Sequence, residues 1–110
     1  MLRAAMSPAA SGLLRALIER TGVERNRILL TGLDSCDWQS LTFVGERHEL
    51  QLRILPPVAE AAARRLCEGL GDAEFDIPGQ LVVDIAVRAG PTLSADGSTL
   101  LTIEALTIEE

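Results

Sequence analysis

The chain has 110 residues, of which 47% are hydrophobic and 24% charged, with a formal net charge of −6; that is room for one hydrophobic core, and residues 1–110 read as a single domain. The acidity works against nucleic-acid and anionic-membrane binding, which both need a dense cationic face, and no apolar run approaches the roughly 20 residues of a membrane-spanning helix. All ten basic residues are arginine and tyrosine is absent, which removes lysine nucleophiles, phosphate-loop lysines and phenolic acids from the possible chemistries.

In chain order, Ser7-Pro8 is a helix start: a hydroxyl to accept from an orphan amide, then a residue that lacks an amide N–H. Ala10, Leu13, Leu14, Leu17 and Ile18 follow at i, i+3, i+4, i+7 and i+8, which places them on one face. Gly22 can take the left-handed conformation that ends the helix. The spacing explains the weakly apolar N-terminus as an amphipathic helix better than as a signal peptide.

Arg27 to Leu33 is a short apolar run and reads as a buried strand. Asp34-Ser35-Cys36-Asp37 carries turn chemistry, so Trp38 to Val44 is expected as a second strand, with Leu41 and Phe43 on one side and Trp38 and Val44 on the other. Gly45-Glu46-Arg47-His48 is expected as the next turn. Leu50, Leu52 and Ile54 alternate with Glu49, Gln51 and Arg53 in a third strand. Pro56-Pro57 stops that strand and opens a second helix, in which Ala59, Ala62, Ala63, Leu66, Cys67 and Leu70 share a face until Gly71.

Asp72 to Ile77 alternates acidic and apolar residues and reads as an edge strand broken by Pro78-Gly79. Gln80 to Arg88 is a strand with Leu81, Val83, Ile85 and Val87 facing in, Ala89 to Ser98 a loop, and Thr99 to Ile108 the last strand. The fold class is therefore α+β: two helices on one face of a twisted antiparallel sheet of about five strands, in the order α-βββ-α-ββ. Each half is a helix followed by antiparallel strands, a loose internal duplication.

Chemistry-bearing residues are few. His48 is the single histidine, so any Ser-His or Cys-His arrangement must use it; in a hairpin turn beside Glu46 and Glu49 it is a solvated residue before it is a general base. Asp72, Glu74 and Asp76 could gather a hard cation, but they lack the glycine-containing loop and closing glutamate of a calcium hand. No glycine-rich phosphate motif occurs. Cys36, between two aspartates, is a poor thiolate, and two cysteines in this setting fit a reducing, cytoplasmic compartment. No catalytic, cofactor-binding or metal-binding residue is assigned, and no cofactor is expected.

The most informative pattern is apolar. Trp38, Val44, Val82, Leu100, Leu106 and Ile108 are expected on the sheet face turned away from the helices, and such a surface calls for a cover. The reading that follows is a non-catalytic module that binds a protein segment or small apolar ligand on the sheet and forms a two-fold homodimer. The alternative is a small enzyme with a pocket at a subunit interface, using His48 and a carboxylate.

Overall fold

The computed structural model describes residues 6–110. Helix α1 spans Pro8–Thr21 and helix α2 Ala59–Cys67, with strands β1 (Ile28–Gln39), β2 (Val44–Ile54), β3 (Gln80–Leu93) and β4 (Thr99–Glu109). The strands form one antiparallel sheet in the order β1-β2-β4-β3. Each half of the chain thus supplies a helix, an outer strand and an inner strand, and the two inner strands meet in the middle.

Helix α1 begins where Ser7 Oγ accepts from the amide of Ala10, and ends at Gly22, whose φ of 74° is the left-handed cap. Its apolar stripe meets α2 and the alternate residues Leu50, Leu52 and Ile54 of β2 and Leu101, Ile103 and Ala105 of β4. Leu13, Leu17, Leu50, Leu52, Ile54, Leu66 and Ile103 are fully or almost fully enclosed, each burial favouring the fold by about 2 kcal/mol. Ile77 closes one side of this core, reaching so near α1 that a Cβ on Gly12 would stand 2.5 Å from its Cγ2.

Arginines tie the helices together. Arg20 Nε of α1 donates to the Leu66 carbonyl at 2.9 Å, and Arg65 Nε of α2 donates to the Thr21 carbonyl at 2.6 Å. Arg20 also reaches the Glu68 carbonyl, and Arg27 the carbonyl of Pro56. These carbonyls lie at helix C-termini and a strand end, where intrahelical or ladder partners run out, and a planar guanidinium satisfies them directionally.

Among the described residues the sheet has four strands, not five. Asp34-Ser35-Cys36-Asp37 does not turn; it runs within β1, and the reversal lies at Ser40–Phe43, where Ser40 N donates to the Phe43 carbonyl and Ser40 Oγ accepts from Phe43 N. The polar quartet is compatible with a strand because β1 is at the sheet edge and its sides are largely solvated. Leu41 and Phe43, expected to face inward from a strand, lie in the turn and are exposed. Likewise Gly45 to His48 belong to β2, and β3 continues to Leu93 through the expected loop. The Asp72–Ile77 stretch follows from a short 3-10 turn (Leu70–Asp72) as an extended segment that, among the described residues, joins the ladder only through the isolated Ile77–Gln80 bridge.

Candidate functional site

His48, expected in a solvated turn, is fully buried in β2 on the helix-facing side. Register puts it between Ser35 of β1 and Ala105 of β4. Ser35 Oγ lies 2.8 Å from Nδ1 and Thr107 Oγ1 lies 2.9 Å from Nε2. Thr107 directs its own proton toward the Glu46 carbonyl at 3.5 Å, which assigns the Nε2–H to donate to Thr107 and leaves Nδ1 to accept from Ser35. The Glu46 carboxylate stands 3.8 Å from Nε2 and accepts from Ser7 Oγ at 2.6 Å. A polar chain therefore runs from the cap of α1 through Glu46 and His48 to the exposed Ser35.

Burial lowers the His48 pKa below its ordinary 6.5 against the opposing pull of Glu46, so the imidazole is neutral at physiological pH. A neutral imidazole bonded to an accessible hydroxyl is the pairing of a general base with a nucleophile. The base, however, has no exposed edge, and a recess of about 110 Å³ that includes His48 among Asp34, Cys36, Arg47, Glu49 and Glu104 does not have Ser35 in its wall. The arrangement first of all satisfies a buried polar side chain at both ring nitrogens.

On the opposite face of the sheet, successive rows across the strands can be read from the register. Trp38, Gly45, Ile108 and Leu81 form one row; Cys36, Arg47, Leu106 and Asp84 form the next. A Cβ on Gly45 would stand 1.9 Å from the Thr107 carbonyl oxygen, so only glycine fits. The third row brings Glu49 directly opposite Glu104. Arg88 bridges both, at 3.2 and 3.0 Å, and Arg47 adds a longer contact to Glu104 at 3.8 Å.

The charged row divides what the sequence presents as one apolar face. Trp38, Leu106 and Ile108 lie on one side of it and Leu100 on the other, beside a recess of about 360 Å³ lined by Thr31, Gln51 and Thr102. Leu106 and Ile108 are already 9% and 6% exposed within the single chain. Val82 turns to the helix side, opposite Thr107, and packs against the core, because a bulge between Val82 and Asp84 shifts the parity of β3. Val44 sits past the last row, opposite Gln39, and is half exposed.

Five exposed apolar residues lie toward the end of the sheet where β1 finishes and β3 begins, Leu41, Phe43 and Val44 at one edge and Leu81 and Val83 at the other, while Leu29, Val58 and Leu93 are exposed elsewhere. Leu41 is entirely exposed, and Phe43, Val44, Leu81 and Val83 are each about half exposed, at 50%, 52%, 47% and 50%. Sequence reading did not single out Leu41, Phe43, Leu81 and Val83 because apolar alternation marks them as inward strand residues. Of these, Val44 shares with Asp37, Glu46 and Glu109 a recess of about 210 Å³ beside the start of α1. The Asp72, Glu74 and Asp76 side chains are exposed on the extended segment after α2. No protein-family model matches the chain, and no curated protein sequence matches it.

Proposed function

We propose that the protein is a non-catalytic binding module that engages a protein segment at the apolar end of its sheet. The observation that carries this is the exposure of Leu41, Phe43, Val44, Leu81 and Val83, each 47% or more, toward the same end of the sheet as Trp38. Single exposed hydrophobes are ordinary, but five toward one end of one sheet point to an interaction surface. A photoreactive residue at position 41, introduced in the protein's native cells, is expected to cross-link to one defined species. The same residue at Val58, exposed on a distant part of the molecule, is expected not to. Equal cross-linking at both positions would refute the reading.

A second copy of the chain is another occupant of this surface, and a two-fold dimer is the form the sequence suggests. The burial of Val82, Leu106 and Ile108 within one chain reduces the area such a dimer would need to cover. Sedimentation at high micromolar concentration distinguishes the two, since a monomer there leaves the patch free for a different partner.

The enzymatic alternative is favoured by one observation, the 2.8 Å contact between Ser35 Oγ and His48 Nδ1. A fluorophosphonate probe tests it. Labelling at Ser35 that disappears in a Glu46→Gln variant would favour a nucleophile, and an unlabelled Ser35 would leave the binding module.

A further inference from the structure

Given that binding reading, we infer that the engaged protein segment joins the sheet as an extended strand along the outer edge of β1, from Leu33 to Gln39, with alternating apolar and polar residues. The two outer strands, β1 and β3, differ in what they offer a partner. β1 pairs with β2 from Gly32 to Gln39 without a shift in register, and its one irregularity lies ahead of that stretch, between Leu30 and Gly32. The stretch contains no proline, and among the described residues no loop or helix backbone bonds to it. Its outward N–H and C=O groups therefore form a regular open row, a template for another strand. β3 offers no such row. Its register with β4 shifts after Val82, after Val87 and after Ala89, and Pro91 lacks a donor. The Leu70–Asp72 turn and α2 also lie against β3, whereas no comparable element among the described residues lies outside β1. Bulges, prolines and covering elements close an edge to pairing, and they are concentrated on β3.

Three of the five exposed apolar residues stand at this edge. Leu41, Phe43 and Val44 lie where β1 turns into β2, at the end of the open row. The register places Cys36 and Trp38 on the face away from the helices and Ser35 and Asp37 on the helix side. An added strand projects successive side chains to opposite faces. Its residues beside Cys36 and Trp38 are therefore apolar, and those beside Ser35 and Asp37 polar. Main-chain bonds supply the affinity of such a complex and the alternate side chains its selectivity. A second copy pairing through the same edge brings its own Asp34 and Asp37 beside those of the first, and like charges on adjacent strands repel. A segment without acidic residues avoids that repulsion.

The probe is a short synthetic peptide of alternating valine and threonine, compared with one of the same length in which every third residue is proline. Binding is read from amide hydrogen exchange and from amide shifts at Leu41 and Phe43. Every second amide from Leu33 to Gln39 points away from β2 and exchanges with water in the free protein. The alternating peptide is expected to slow those amides at least about tenfold and to leave the amides of Asp84 to Val87 in β3 unchanged. The proline peptide, which cannot build a regular ladder, is expected to slow none of them. Slowing at β3 in place of β1 would overturn the choice of edge. Slowing of the β1 amides in the protein alone as its concentration rises would make a second copy the occupant and overturn the inference. Shifts at Leu41 and Phe43 with both peptides, without slowing from Leu33 to Gln39, would overturn strand addition while keeping the docking surface. No response to either peptide would also overturn strand addition, and cross-linking at position 41 then decides separately whether the docking surface stands.

Discussion

Replacing Thr107 with valine isolates the bond that holds the buried imidazole. The hydroxyl is fully enclosed and receives the Nε2–H of His48 at 2.9 Å. Valine keeps the volume and shape, so no cavity forms, but the ring N–H is left with Glu46 Oε1 at 3.8 Å as its nearest ionic neighbour, beyond hydrogen-bond range. An unsatisfied buried donor costs about 1–3 kcal/mol. With an unfolding entropy of about 2.1 cal/mol/K per residue, that lowers the Tm by roughly 4–13 °C for this chain. Differential scanning calorimetry reads the shift, and Thr107→Ser, which keeps the hydroxyl and loses only a methyl group, should cost about 1 kcal/mol. A Thr107→Val variant melting within about 2 °C of the parent would refute the assignment of this hydroxyl as the imidazole's partner.

The buried imidazole also sets a pH dependence. Unfolded His48 takes up its proton near pH 6.5 and the folded protein only below that, so this contribution to stability is complete above about pH 6.5 and is lost as the pH falls toward the folded value. Urea midpoints should therefore fall on that acid limb, and His48→Phe should flatten it; an unchanged slope in the variant would exclude His48 as its source. Gly45→Ala forces a Cβ against the Thr107 carbonyl and the Ile108 Cα and should cost about 3 kcal/mol or more in chemical denaturation, with native-like stability contradicting the close strand contact. Arg65→Ala removes the guanidinium that caps Thr21 and should cost about 1.5–3 kcal/mol by the same assay, with only part of the loss restored by lysine. Among the described residues, Ser98 Oγ is buried without a hydrogen-bond partner, so Ser98→Ala should be neutral or stabilising by about 1 kcal/mol; a clear drop in Tm would reveal a partner for that hydroxyl.

Much of this fold is legible locally. The Ser7-Pro8 start, the spacing of Leu13, Leu14, Leu17 and Ile18, and Gly22 define α1 completely, and the alternation of Leu50, Leu52 and Ile54 identifies the inner half of β2. The first hairpin is misread because its signals are inverted. Its strand is polar where an outer strand meets water, at Asp34 to Asp37, and its turn is apolar, at Leu41 and Phe43. Local pattern cannot tell an apolar turn from a buried strand, and the distinction depends on which strand is outermost. The burial of His48 is hidden for a related reason. Its partners lie 13 residues upstream at Ser35 and 59 downstream at Thr107, and no short-range spacing reports a cross-strand triplet of this kind. The bulge after Val82 reverses the face assignments of Leu81 and Val82 in β3, and nothing in Val82-Val83-Asp84 announces it.

The two arginine contacts between the helices are reciprocal. Arg20 of the first half serves the Leu66 carbonyl of the second, and Arg65 of the second serves the Thr21 carbonyl of the first. Together with a strand order that mirrors about the β2–β4 junction, they make the molecule an intramolecular counterpart of a symmetric pair. Joining the halves covalently replaces an encounter between separate chains with a high effective concentration. Fragments divided within Leu55 to Val58 would each expose half of the shared interior, and should recover structure only when mixed, with a dependence on concentration that the intact chain has escaped.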